Sequence, residues 1–152
     1  RYTCSSEGGS KLRLLMLHSD YFKYEVMEKT RFSEEITKNE KKGDMNEPVL
    51  VVLVCSEKSD EKDPNRVAEK AVDAIIDIIR QVKALNVVLH SFAHLSDSLS
   101  SPSVAKIIID RMHHMLTLKG YNVLKTPFGW RDTFELRVKS HPISKVSRSV
   151  LS

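Results

Sequence analysis

The chain has 152 residues, 41% of them hydrophobic and 29% charged, enough for one globular domain with a sizeable core. Its two cysteines, Cys4 and Cys55, exclude a disulfide scaffold and a thiolate zinc cluster and suit a reducing cytoplasm. A net charge of +4 permits a nucleic-acid partner without demanding one, and the longest apolar run, Val49 to Cys55, is far short of the ~20 residues of a membrane span.

Arg1 to Ser10 is polar and Gly/Ser-rich and reads as a flexible leader. The fold is expected to begin at Lys11 and run to Ser152 as a single domain. Leu12 to Leu17 is a nearly continuous apolar run, as in a strand covered on both faces. Tyr21 to Phe32, where Phe22, Tyr24 and Val26 alternate with Lys23 and Glu25, predicts a second, half-exposed strand. Asn39 to Glu47 is polar and predicts a surface loop. Val49 to Cys55 predicts a central strand, with Cys55 a buried thiol. Ser56 to Asp63 reads as a charged loop.

Asp63-Pro64 marks a helix start: an acceptor at the cap, then proline at the first helical position. Val67, Ala71, Ile75, Ile78, Ile79 and Val82 follow at helical spacing, with Asn86 as the stop. Val87-Val88-Leu89 begins another buried strand. Ser101-Pro102 opens a second amphipathic helix carrying Val104, Ile107, Ile108, Met112, Met115 and Leu116, and Gly120 ends it. Tyr121 to Leu124 begins a further strand, and Thr133 to Lys139 alternates as a strand with one wet face. The order β-β-β-α-β-α-β-β predicts an α/β (α+β) domain: a mixed sheet with two helices, parallel in the middle and antiparallel at the flanks.

Familiar catalytic motifs are absent. Gly43, Gly120 and Gly129 are isolated, so there is no glycine-rich phosphate loop, and no nucleophile elbow occurs. His90 and His94 are four apart but at a strand end, not on one helix face, and His113-His114 point apart on a helix. Neither pair predicts a metal, and no cofactor is expected. Polar, small and aromatic residues instead collect just after three strands: Ser56-Glu57-Lys58, Ser91 to Ser96, and Pro127-Phe128-Gly129-Trp130-Arg131. The carboxyl ends of parallel strands line a crevice where ligands bind. The plainer account makes these ordinary connections, with Phe92, Phe128 and Trp130 capping the core.

Those segments resemble a known family. His18-Ser19-Asp20-Tyr21, Tyr24-Glu25-Val26, Glu57-Lys58, Phe92-Ala93-His94-Leu95-Ser96, Pro127-Phe128-Gly129, His141-Pro142 and Ser147-Arg148 are similar, in order and spacing, to the amino-terminal editing domain of archaeal threonyl-tRNA synthetases. The resemblance implies a D-aminoacyl-tRNA deacylase-like fold. It implies hydrolysis of L-serine from mischarged Ser-tRNA(Thr), sparing Thr-tRNA(Thr), without metal or cofactor. It also implies that the 2′-OH of the terminal adenosine helps activate the water, consistent with the lack of any Ser/His/Asp or Cys/His constellation. Ala93, His94 and the backbone near Ser56 match the serine pocket. Phe128, Gly129, Trp130 and Arg131 match positions that approach the terminal adenosine.

The expected site is therefore His94 and Asp132 at catalytic positions, with Ser56, Glu57, Phe92, Ala93, Pro127, Phe128, Gly129, Trp130, Arg131 and Lys145 binding substrate. The chain departs from the pattern where the family commonly carries tyrosine then lysine: here stand Arg131 and Asp132. Lys145 stands where a glutamate is common. A swapped Asp132–Lys145 ion pair at the pocket edge is the expectation. Implied partners are the acceptor end of tRNA(Thr) carrying serine, other synthetase domains or a separate synthetase, and a second copy in a homodimer. Two other classes stay open. A catalytically inactive tRNA-binding module is favoured by the missing lysine, and a D-aminoacyl-tRNA deacylase by the fold.

Overall fold

A computed structural model describes residues 12–151. The leader expected at Arg1 to Ser10, and Cys4 within it, lie outside the described residues. The elements are β1 (Leu12–Glu28), β2 (Lys42–Met45), β3 (Val49–Cys55), α1 (Pro64–Val82), β4 (Asn86–Ser91), α2 (Pro102–Leu118), β5 (Asn122–Lys125), β6 (Arg131–Val138) and β7 (Lys145–Val150). Short 3₁₀ turns occupy Lys38–Lys41 and Lys58–Lys62.

One strand organises the sheet. β1 is antiparallel to β3 along one edge and to β7 along the other; further on, the same two edges take β2 and β6. β3, β4 and β5 then continue in parallel. The helices cross over between the parallel strands, as the strand–helix alternation predicts.

Three readings of the strands are corrected. Leu12–Leu17 and the stretch from Tyr21 are a single strand of 17 residues, not two, and it ends at Glu28 rather than Phe32. The reason is a phase break. Leu12, Leu14 and Met16 face the helices, whereas Phe22 and Tyr24 face the opposite side. The β1–β6 register slips between Ser19 and Phe22, and a slip of one residue moves every later side chain to the other face. The expected loop at Asn39–Glu47 contains β2, held by pairing to β1 despite its polar sequence. Finally, β7 is a strand that its exposed pattern conceals; Val146 and Val150 alone reach the core.

The helix starts follow their caps. The Asp63 carboxylate accepts from the Arg66 N–H at 3.2 Å, and Ser101 Oγ from the Val104 N–H at 3.3 Å. α1 stops earlier than expected. Lys83 takes a left-handed φ of 60° and Asn86 already begins β4. The two helices cover one sheet face, where Leu50, Val52, Val54, Val87 and Leu89 meet Ile75, Ile78, Ile108 and Met112. Val49, Val51, Leu53 and Val88 pack on the other face with Phe22 and Tyr24. β3 is thus apolar on both sides, and Cys55 is a free, buried thiol. Among the described residues no helix is long and apolar enough to cross a membrane.

Candidate active site

A cleft of about 850 Å³ opens at the carboxyl ends of β3, β4 and β5. Its other walls are the start of β6 and the Thr30–Phe32 segment that follows β1. This is where a parallel arrangement leaves strand ends uncovered by its crossovers.

The β3 end is shaped by a buried carboxylate. Asp60 accepts from the Glu57 N–H at 2.7 Å and from Ser56 Oγ at 3.4 Å. The Ser56 carbonyl accepts from the Ser100 N–H at 3.2 Å, and the Phe92 N–H donates to the Val54 carbonyl at 2.8 Å. Ser56 therefore faces the cleft from a braced turn. The Glu57 carboxylate takes the Arg13 guanidinium at 2.9 Å instead and does not line the cleft. Ala93 and His94 stand exposed at the rim, the His94 ring edge-on to Phe92 with centroids 5.0 Å apart.

The β5–β6 wall is tied to the Thr30–Glu34 segment by a dense set of hydrogen bonds. Thr30 Oγ1 and Ser33 Oγ donate to the Gly129 carbonyl at 2.6 and 3.1 Å. The Glu34 N–H donates to the Phe128 carbonyl at 3.0 Å, and the Trp130 indole N–H to the Glu34 carbonyl at 2.9 Å. The Glu34 carboxylate accepts the Phe128 N–H at 2.6 Å and lies 3.3 Å from Lys106 and 3.5 Å from Lys125, both of which also reach Asp110 at 2.5 Å. Glu34→Ala should leave the Phe128 N–H without its charged acceptor and cost about 1–3 kcal/mol. Urea unfolding measures this, and Glu34→Gln, which keeps an oxygen there, should lose less than half as much.

The floor holds three polar side chains, with His90 adjacent to the other two. His90, at the end of β4, has Nδ1 2.8 Å from Thr126 Oγ1 and 3.9 Å from Asp132 Oδ2. The His90 and Asp132 side chains are only 7% and 10% exposed. Aromatic rings enclose the imidazole, with Phe134 at 4.8 Å and Phe92 at 6.3 Å between centroids. Burial moves both groups toward neutrality: His90 falls from 6.5 to about 4, and Asp132 rises from 3.8 to about 6. At neutral pH His90 is an uncharged imidazole, and Asp132 is a carboxylate with a raised affinity for a proton.

The structure brings together His94, Asp132, Ser56, Phe92, Ala93, Pro127, Phe128, Gly129, Trp130 and Arg131. It does not bring in Glu57 or Lys145. The expected Asp132–Lys145 ion pair is wrong. Asp132 pairs in register with Val26 of β1 and Lys145 with Leu17, nine residues away, which is about 30 Å along a strand. Lys145 Nζ instead donates to the Lys139 carbonyl at 3.1 Å and to Ser144 Oγ at 3.3 Å.

His90, Thr126, Phe134 and Thr30–Phe32 were missed as site residues. Thr126 and His90 lie at strand ends and were open to the same reasoning that found their neighbours. Thr30–Phe32 had no such signal, because it arrives from the far end of β1. Among the described residues no three His, Cys, Asp or Glu side chains gather to hold a metal.

The comparisons with known proteins agree with this geometry. The family described as the Archaea-specific editing domain of threonyl-tRNA synthetase matches residues 12–150. The chain belongs to that family. This makes it an editing domain. It is 45% identical over 141 residues to a threonine–tRNA ligase of Pyrococcus furiosus and 46% identical over 141 residues to one of Pyrococcus horikoshii. Each match covers 92% of this chain and 22% of the ligase, so the editing domain spans about a fifth of those relatives. Among solved structures, a probable eukaryotic D-amino acid tRNA deacylase superposes with a TM-score of 0.64, at 10% identity, over 93% of this chain and 100% of that one. The c-Myc DNA unwinding element binding protein gives 0.58, at 10% identity, over 90% and 97%. The editing domain thus has the deacylase-like fold expected from its sequence.

Proposed function

We propose that the cleft removes L-serine from mischarged Ser-tRNA(Thr) by ester hydrolysis and spares Thr-tRNA(Thr). The observation that carries this reading is a coincidence in space. The motifs at Ser56, Phe92–His94 and Pro127–Arg131, scattered along a chain of the editing family, line one cavity.

Serine and threonine differ by one methyl, and a binding site gains only ~1–3 kcal/mol from such a difference, so a synthetase needs a second site that excludes the larger residue. Ala93, His94 and the Ser56 turn are the positions that match the family's serine pocket, and the reading requires them to refuse the extra methyl. Trp130, anchored through its indole N–H and backed by the buried Phe128, offers the terminal adenine a stacking wall worth ~1–3 kcal/mol. Water attacks the ester carbonyl, the bond to the ribose 3′-oxygen breaks, and donors are needed where the oxyanion develops. The 2′-OH of the terminal adenosine orients that water. His94, exposed at the rim, meets the substrate rather than the water's proton.

The tRNA acceptor end is the partner, which suits a cytoplasmic chain of net charge +4. A homodimer, and contact with other synthetase domains or a separate synthetase, complete the proposal. Among the described residues β6 and β7 each pair only to β1, and their outer edges support pairing with a second copy.

A second reading is a catalytically inert tRNA-binding module, favoured by the carboxyl of Asp132 where the family pattern carries a lysine. The test is release of amino acid from matched Ser-tRNA(Thr) and Thr-tRNA(Thr), each also prepared with a 2′-deoxy terminal adenosine. The expected result is serine release at least ~10-fold faster than threonine release, lost without the 2′-OH. Binding of tRNA without release would establish the inert module. Faster release of D-serine than L-serine would make the chain a D-aminoacyl-tRNA deacylase.

A further inference from the structure

We infer that Asp132 is the general base of the cleft, taking the proton of the attacking water. The inference rests on the hydrolytic reading above and deepens it, because it gives Asp132, expected at a catalytic position, a defined role in moving a proton.

Geometry carries it. Asp132 lines the same cleft as the serine-pocket and adenosine positions, yet its side chain is almost closed to bulk solvent. Among the described residues no lysine or arginine nitrogen comes within 4.0 Å of its carboxyl, and the imidazole of His90 is its ion-pair-range neighbour at 3.9 Å. The same His90 Nδ1 lies 2.8 Å from Thr126 Oγ1, so its hydrogen bond goes to Thr126 and leaves the Asp132 carboxyl free of it. The remaining titratable or charged groups around this floor are Tyr24 of β1, Arg31 of the following segment, Cys55 of β3, His94 after β4, and Arg131 beside it on β6. Tyr24 and Cys55 are both pushed up by burial and stay neutral at pH 7. Arg131 turns to Glu28 at 3.7 Å, and the Arg31 guanidinium lies over the Phe32 ring at 5.0 Å. A lysine in this position would stabilise an anion. A carboxylate instead accepts a proton, and its dry surroundings raise its proton affinity toward the range in which general bases are effective.

The step balances without a further reactant. The water oxygen bonds to the carbonyl carbon as its proton moves to the Asp132 carboxylate. The tetrahedral intermediate then collapses, the bond from carbon to the ribose 3′-oxygen breaks, and Asp132 returns the proton to that oxygen. Free serine and a tRNA 3′-OH leave.

The experiment is single-turnover release of serine from Ser-tRNA(Thr) between pH 4.5 and 8.5, after subtraction of uncatalysed hydrolysis. The wild-type rate should rise with pH, bend near pH 6 and level off. Asp132→Asn should be slower by roughly 10²-fold or more at pH 7, without the bend and with unchanged half-saturation by chain. Asp132→Glu should keep the bend and part of the rate. A wild-type profile with no bend overturns the inference, even if Asp132→Asn fails to fold. So does an Asp132→Asn chain within fivefold of wild type, or one whose loss lies wholly in tRNA binding. Failure of the wild-type chain to release serine at every pH overturns the hydrolytic reading instead, so the two failures are distinct.

Discussion

Gly129→Ala should lower the melting temperature by about 5–15 °C and depress serine release, because it breaks the wall of the cleft from within. Gly129 has φ +83°, a region that costs a residue with a Cβ ~1–3 kcal/mol. The added Cβ would also sit 2.3 Å from the Phe32 carbonyl oxygen, 2.6 Å from its carbon and 2.9 Å from Ser33 Cα. All three are backbone atoms, so no side chain can swing aside. The loop must move off the Thr30–Ser33 segment, and the two hydroxyl hydrogen bonds to the Gly129 carbonyl go with it. Strain and overlap together come to about 2–4 kcal/mol, and each kcal/mol shifts Tm by ~2–4 °C in a domain of this size. Gly120→Ala is the control. Gly120 also has positive φ, +96°, but nothing lies within 4 Å of its added Cβ. It should show the strain alone and leave serine release intact. Equal effects of the two substitutions, read by thermal unfolding, would mean that the close approach at Gly129 is not what matters.

Removing either partner of the buried pair should tilt stability against pH, in opposite directions. Burial raises Asp132 from 3.8 to about 6, so the folded state holds that proton more tightly, and stability from Asp132 falls as pH rises through that window. Burial lowers His90 from 6.5 to about 4, so the unfolded state holds that proton more tightly, and stability from His90 rises with pH through nearly the same window. At pH 5 the folded pair carries one proton, on Asp132; the unfolded pair also carries one, on His90. The two slopes cancel in the wild type. Each shift is worth about 3 kcal/mol at 1.36 kcal/mol per unit. Relative to wild type, Asp132→Asn should therefore gain about 3 kcal/mol between pH 4 and pH 7. His90→Gln should lose a similar amount over the same range. Urea unfolding at pH 4, 5, 6 and 7 tests both. Parallel curves for wild type and both variants would show that neither group is as buried in solution as its surroundings require.

Much of the site was readable before the fold, and the reason is chemical. Pro127-Phe128-Gly129-Trp130 and Phe92-Ala93-His94 follow apolar runs long enough to be strands, and strand ends are where a parallel sheet exposes functional groups. The resemblance joined them, and the family it named is the one that matches residues 12–150. The Asp132–Lys145 pair failed because two charges that look exchanged along the chain need not be neighbours in space. Their separation was decided by the register of β6 and β7 on β1, and pairing register is a property of two strands at once.

By itself the sequence determined the elements whose signals are local. The caps at Asp63 and Ser101, the helical spacing of α1 and α2, and the doubly apolar run of β3 each depend on residues within a few positions of one another. It also determined the family, because the motifs keep their order. Only the tertiary structure decided the rest. It joined two apparent strands into β1 across a change of phase and made strands of the polar segments at β2 and β7 by pairing them to it. It also set Asp132 beside His90 in a dry floor. Strand pairing and burial are energies of contact between segments far apart in the chain, and a carboxyl's proton affinity depends on what surrounds it, not on which residues precede and follow it.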